Sequence, residues 1–258
     1  MNDEASLTLP GERIDDLQLL GLRIIQSPAA FRFGMDAVLL ADFARVRPGS
    51  RVCDLGTGTG ILPLLLFGRE KTLRCDAVEI QPDAADRARR SMRLNGLEER
   101  IAVHTGDLKQ IRGMLPHAAY DLVICNPPYS PEAASLPSPK PALRISRQEG
   151  ECTLGDVAAA AAFLLRGRGR FALMLPAHRL SSGFDTLRAH RLEPKRLRLV
   201  HANAERPARL ALIEAMAETR PGLIVEPPLL VKNPDGTDTP EILRIYHLNG
   251  DEPQDLGP

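Results

Sequence analysis

Apolar residues along this chain gather into short runs rich in Val, Ile, Leu and Cys, and between the runs the apolar positions recur at helical spacing. The runs predict strands over residues 22–26, 51–55, 73–80, 101–104, 120–125, 170–175, 197–201 and 209–217. The helical spacing falls over residues 36–46, 61–69, 82–95, 154–165 and 180–190, with Pro82 well placed at a first helical turn. Strands alternating with helices predict an α/β fold, a mostly parallel sheet covered by helices on both faces. No segment repeats another. A proline- and serine-rich stretch, residues 130–141, is long enough to be a functional loop rather than a tight connection.

Composition sets the scale of this fold. With 43% apolar and 26% charged residues, the 258-residue chain can bury one large core, so one domain with appendages is expected. Its expected division is residues 1–48 as an N-terminal segment, 49–220 as the core and 221–258 as an appendage packed on or trailing that core. No apolar run reaches membrane-spanning length, and Met1-Asn2-Asp3-Glu4 lacks the basic-then-apolar pattern of a leader, so a cytoplasmic protein with no membrane partner is expected. Cys53, Cys75 and Cys125 lie in apolar runs and read as core thiols; with Cys152 they show no Cys-x-x-Cys spacing, and neither disulfide nor metal site is expected. Net charge is zero, but residues 166–220 carry twelve Lys/Arg against five Asp/Glu, and residues 221–258 two against seven. The basic segment reads either as solvated arginines or as a surface facing a polyanion.

The sharpest chemical signal is Asn126-Pro127-Pro128-Tyr129, directly after the apolar run Tyr120-Asp121-Leu122-Val123-Ile124-Cys125. It falls at a strand's carboxyl end, where open α/β sheets bind ligands. The prolines supply carbonyls on a stiff backbone, the Asn126 side chain adds an acceptor and the Tyr129 ring offers a stacking face. That corner suits the exocyclic amine of a flat heterocycle, although Asn-Pro and Pro-Pro are also ordinary turn signals. Upstream, Asp54-Leu55-Gly56-Thr57-Gly58-Thr59-Gly60 joins a strand to a helix, but its glycine spacing and leading acid differ from a pyrophosphate loop. An acid there suits a ligand bearing an ammonium, and glycines let the ligand lie against the backbone. Glu79 ends the next strand, where a carboxylate can accept ribose hydroxyls, and Asp107 follows the third, where it could accept from an adenine amino group. Each acid alone also fits a helix cap. Together they describe S-adenosylmethionine.

These motifs resemble those of the class I S-adenosylmethionine-dependent methyltransferases, and the Asn-Pro-Pro-Tyr form resembles the branch that methylates amino nitrogens. More narrowly, the chain is similar to the bacterial tRNA N6-adenine methyltransferases acting on adenosine 37 of valine tRNA. The similarity runs through Ile24-Ile25-Gln26, Phe31-Arg32-Phe33-Gly34-Met35-Asp36-Ala37-Val38-Leu39-Leu40-Ala41, Cys125 to Tyr129, Cys152-Thr153-Leu154 and Leu192-Glu193-Pro194-Lys195-Arg196. It departs from relatives at Ile145-Ser146-Arg147-Gln148-Glu149 and at Asn203-Ala204-Glu205-Arg206-Pro207-Ala208-Arg209.

The resemblance implies a Rossmann-like, seven-stranded sheet. It also implies a donor site made of Phe33, Asp36, Asp54, Gly56, Thr57, Gly58, Gly60, Glu79, Ile80, Asp107, Leu108 and Asn126, with Phe33 and Asp36 in the N-terminal segment over the methionine end. Asn126, Pro127, Pro128 and Tyr129 would hold the amine to be methylated, and tRNA would be the partner, with Arg144, Arg147, Arg206 and Arg209 as candidates for its phosphates. Methylation of a protein glutamine amide uses the same corner, and ribosomal RNA or DNA could supply the adenine. A non-catalytic RNA-binding protein on the same fold is the alternative of a different class. The glycine spacing disfavours a nicotinamide dehydrogenase.

Overall fold

The structure, a computed structural model, describes residues 4–27, 34–127 and 152–247. Phe33, Pro128, Tyr129, Arg144, Arg147 and the loop of residues 130–141 lie outside the described residues.

A short helix, α1 (Glu4–Leu7), precedes an antiparallel pair, β1 (Arg13–Asp16) and β2 (Arg23–Gln26). Then come α2 (Met35–Phe43), β3 (Arg51–Leu55), α3 (Ile61–Arg69), β4 (Arg74–Glu79), α4 (Pro82–Leu94), β5 (Ile101–Thr105), a 3-10 turn (Leu108–Gly113) and β6 (Tyr120–Cys125). After the undescribed stretch follow α5 (Leu154–Leu164), β7 (Leu165–Pro176), α6 (Leu180–Ala189), β8 (Leu192–His201), β9 (Ala208–Ala217), β10 (Ile224–Val225), β11 (Leu229–Leu230) and α7 (Pro240–Ile245).

Among the described residues nine strands form the main sheet, in the order β10-β8-β9-β7-β6-β3-β4-β5, with β11 also on β8. Seven of them make the expected sheet, parallel except for β9, which runs against both β7 and β8. The other two, β10 and β11, are two-residue strands from the C-terminal segment that pair parallel with β8.

Alternation along the strands divides the core between the two faces of the sheet. Val52, Leu122, Ile124, Ala172 and Leu212 pack with α2, α3 and Met92 of α4; Cys53, Leu55, Val123, Cys125, Phe171 and Leu173 pack with α5 and α6. Cys53, Cys75 and Cys125 are buried core residues, as their apolar runs indicate. Leu229, Val231, Ile242 and Ile245 join the α2 face, so residues 221–247 include part of the core.

The sequence pattern predicts none of α1, β1, β10, β11 and α7, and places the starts of β7 and β8 later than they fall. β7 begins at Leu165, directly off α5, because Leu165 pairs with Tyr120 and Arg170 with Leu122, the residues between bulging out of the ladder. β8 begins at Leu192; Pro194 sits at a register irregularity, where a missing N–H costs no ladder bond. β1, Arg-Ile-Asp-Asp, carries no strand signal of its own. The β1–β2 region is tied to α4 by Glu12 to Arg87 (2.9 Å) and Arg90 (2.5 Å), by Ser91 Oγ accepting from Ile25 N–H (3.0 Å), and by Asn95 bonding both backbone groups of Arg23.

Candidate functional site

The chain runs outward from β3 to β4 and β5, then returns to lay β6 on the other side of β3. A crevice opens where such a reversal occurs, outside the carboxyl ends of the strands. The register brings the sequence candidates to that edge: Asp54 lies opposite Ala77 and Ile124, Glu79 opposite Thr105, and Asn126 follows Cys125, which lies opposite Leu173.

Asp54 is wholly buried, and among the described residues neither carboxylate oxygen has a hydrogen-bond partner; the Thr57 hydroxyl is likewise buried and unpartnered. Burial lifts the Asp54 pKa to about 7; the Thr57 hydroxyl, close by but outside hydrogen-bonding geometry, opposes the rise, and the Glu79 charge adds to it. Two oxygens without donors are the arrangement an ammonium would satisfy. Glu79 is 6% exposed and is already at work: Oε2 accepts from Gly58 N–H at 2.8 Å and Oε1 from Gln81 N–H at 2.9 Å. It therefore holds the glycine loop, and each oxygen keeps a lone pair for a further donor. The loop is hooked again by the N–H groups of Gly56 and Thr57, which both donate to the Val78 carbonyl.

Gly56 and Gly58 have φ of +77° and +57°, and a Cβ on either would project into open space. Gly60, at φ +87°, differs, because a Cβ there would come within 2.5 Å of Met92 Cε and 3.4 Å of the Ala88 Cβ. The first two glycines thus leave a cradle free, and the third lets α3 approach α4. Ile80 is an apolar side chain 51% exposed just past β4, a surface suited to a flat ring. Asp107 is half-buried and accepts from Lys109 N–H at 2.9 Å, capping the 3-10 turn with Leu108, also half-buried, at its start. Asn126 and Pro127 are half-buried at the tip of β6.

Asp36 lies in the first turn of α2, half-buried; burial raises its pKa, with its own backbone hydrogen bond and the charge of Arg209 opposing. Arg209 opens β9, whose antiparallel course returns its first residues to the carboxyl edge: Leu210 pairs with Pro176 at the end of β7. Arg206, in the β8–β9 turn, is exposed, and its carbonyl meets His201 Nδ1 at 2.8 Å. The structure therefore brings both arginines to the same edge as Asp36, Asp54, Glu79 and Asn126.

Part of the rest of the basic segment is tied up in ion pairs. Arg196 pairs with Glu214 at 3.5 Å and Glu226 at 2.9 Å, Arg198 with Glu241 at 2.8 Å, Arg188 with Glu193 at 3.3 Å, and Arg166 with Asp121. Glu226 and Glu241 belong to the acidic C-terminal segment, so the two oppositely charged stretches partly neutralise each other.

Sequence reasoning singled out no role for Gln26. Its amide ends β2, is 1% exposed and has no hydrogen-bond partner on either atom among the described residues. The sequence signals there are an uncharged polar residue closing an apolar run and its place in the family-similar stretch Ile24-Ile25-Gln26.

Residues 29–138 match the methyltransferase small domain family. A tRNA1(Val) (adenine(37)-N6)-methyltransferase from Tolumonas auensis is 32% identical over 231 residues, 86% of this chain and 91% of that protein. A protein of the same name from Cronobacter sakazakii is 33% identical over 80% of this chain and 82% of its own length. The chain belongs to the tRNA1(Val) (adenine(37)-N6)-methyltransferase family.

Solved structures place this family member in the class I methyltransferase fold. A protein described as a predicted O-methyltransferase from Agrobacterium tumefaciens superposes with a TM-score of 0.68 at 22% identity, covering 83% of this chain and 96% of its own. An O-methyltransferase from Thermotoga maritima gives 0.51 at 18% identity, over 75% of this chain and 68% of its own. Among the described residues no helix is long and apolar enough to cross a membrane.

Proposed function

We propose that this protein methylates the N6 amino group of adenosine 37 in tRNA1(Val), with S-adenosylmethionine as donor. The observation that carries the reading is similarity to proteins of that name over most of the chain. The carboxyl edge of the sheet supports it with an unpartnered buried acid, an open glycine cradle and two further acids, Glu79 ending β4 and Asp107 just past β5.

The donor supplies an electrophilic sulfonium methyl when bound. Asp54 would take its ammonium, Glu79 its ribose hydroxyls, and Asp107 its adenine amino group, with the ring against Ile80 and Leu108. Gly56, Thr57, Gly58 and Gly60 would give it backbone to lie on, and Asp36 would close over the methionine end. Phe33, Pro128 and Tyr129 carry their proposed roles from the family resemblance: Phe33 beside Asp36, and Tyr129 stacking on the target base.

Adenine N6 is a weak nucleophile because its lone pair is delocalised into the ring. Asn126 Oδ1 and the Pro127 carbonyl would accept its two hydrogens, favouring a more tetrahedral nitrogen with a localised lone pair. This is electrostatic pre-organisation aimed at an amine. Positive charge then develops on N6, and one N6 proton can leave to water after transfer, so the residues named need include no general base. Extruding the base costs least from an unpaired loop, such as an anticodon loop. Arg206 and Arg209 at the rim, with Arg144 and Arg147, are proposed phosphate contacts.

Nucleoside mass spectrometry of valine tRNA from a strain lacking the gene tests this reading. The expected result is loss of N6-methyladenosine that returns with the parent gene. Unchanged N6-methyladenosine would overturn the assignment.

A further inference from the structure

At the amino-terminal edge of the sheet, a strand's length or about 15 Å from the methyl-transfer site, a cavity of about 560 Å³ opens between the α2–β3 connection, the end of α3 and the start of β7. Its lining carries four arginines, Arg45, Arg47, Arg69 and Arg170, against three carboxylates, Asp42, Glu70 and Glu214. Arg69 pairs with Asp42 at 2.9 Å and leaves its Nε buried without a hydrogen bond. Arg170, with its side chain 10% exposed, reaches a single carboxylate, Glu214 at 3.8 Å, which it shares with Arg196 at 3.5 Å. Arg196 is itself better served, by Glu226 at 2.9 Å and the Phe43 carbonyl at 2.7 Å. Arg45 reaches the same Glu226 at 3.4 Å, and Arg47, exposed at the rim, makes no ion pair among the described residues.

A guanidinium keeps its charge and offers five donors, so a buried one with a single distant acceptor lacks anionic partners. Burial works against the Arg170 cation; Glu214 opposes that effect, and the charges of Arg47, Arg196 and Arg45 add to it.

We propose that this cavity is an anion site for a phosphate group, with Arg170 contacting it from the wall and Arg47 and Arg45 from the rim. Arginine forks suit the paired oxygens of a phosphate, and the volume exceeds what a lone carboxylate needs. The phosphate could belong to a free phosphorylated metabolite or to an RNA backbone. The site is separate from the methyl-transfer edge.

Calorimetric titration of the full chain with inorganic pyrophosphate, at constant ionic strength, tests it. One saturable site is expected, at least about tenfold weaker in Arg170→Met, the loss typical of a hydrogen bond to a charged group. Arg47→Ala removes an exposed, unpaired side chain that folding does not need, and should also weaken binding. Arg206→Glu, on the opposite edge, should leave this site unchanged. Absence of saturable binding, or equal affinity in the parent and both cavity variants, would overturn the proposal. With valine tRNA transcript as second probe, displacement of pyrophosphate together with weaker tRNA binding by Arg47→Ala assigns the site to RNA phosphate. Pyrophosphate binding that tRNA does not displace assigns it to a free phosphate compound.

Discussion

At the scale of single residues, Asp54 is the most informative group, because it is wholly buried and neither of its oxygens has a hydrogen-bond partner among the described residues. Its folded pKa of about 7 lies above the ordinary 3.8, so the folded chain holds a proton that the unfolded chain releases. That contribution to stability is largest below the unfolded value, declines as pH rises through the window from 3.8 to about 7, and is constant above it. Asp54→Asn should therefore exceed the parent in stability at about pH 8, by at most about 4 kcal/mol, with the difference vanishing near pH 4. Denaturant unfolding at the two pH values measures this. An ammonium beside Asp54 would favour the carboxylate, so binding of S-adenosylmethionine near neutral pH should expel a fraction of a proton. Calorimetry in two buffers of different ionisation heat reads that proton, and equal release by Asp54→Asn would contradict the assignment. The position of Asp54 was legible because an acid leading a glycine loop is a local pattern. Its isolation was not, since burial without a partner depends on residues far along the chain.

At the scale of elements, the glycine loop separates structural from ligand-facing roles. Gly60→Ala should cost stability through both its left-handed backbone and the contact with Met92, roughly 2 kcal/mol or more in sum. Gly56→Ala meets no neighbour and should cost only about 1 kcal/mol, yet its methyl would fill the cradle and weaken donor binding. Thermal melts and donor titration of both variants check the contrast; a larger stability loss in Gly56→Ala than in Gly60→Ala would contradict it. The strands that built the crevice announce themselves as continuous apolar runs because parallel central strands are buried on both faces. β1 and the first half of β8 do not. β1 is held by pairing with β2, which is tied in turn to α4, and β8 has Glu193 and Pro194 among its first residues, next to a register irregularity, so tertiary contacts rather than local pattern make them strands. The basic segment misleads for the same reason, since the carboxylates meeting Arg196 and Arg198 stand 18 and 43 residues away.

At the scale of the whole molecule, chain reversal and the antiparallel β9 put the acids, Asn126 and two unburied arginines on one edge, while most of the other arginines are bound up in ion pairs elsewhere. If Arg206 touches a tRNA phosphate, Arg206→Glu should weaken tRNA binding and reduce the slope of log affinity against log salt by about 0.7 to 0.9. Filter binding across a salt series shows whether it does, and an unchanged slope removes Arg206 from the RNA surface. The most direct test of the account is the methyl transfer itself, measured by mass spectrometry of position 37 in unmodified valine tRNA incubated with S-adenosylmethionine and either the parent protein or Asn126→Ala. The expected result is N6-methyladenosine at position 37 with the parent and almost none with Asn126→Ala, while both proteins bind the donor comparably. An unmethylated position 37 with the parent, or full methylation with Asn126→Ala, would contradict it.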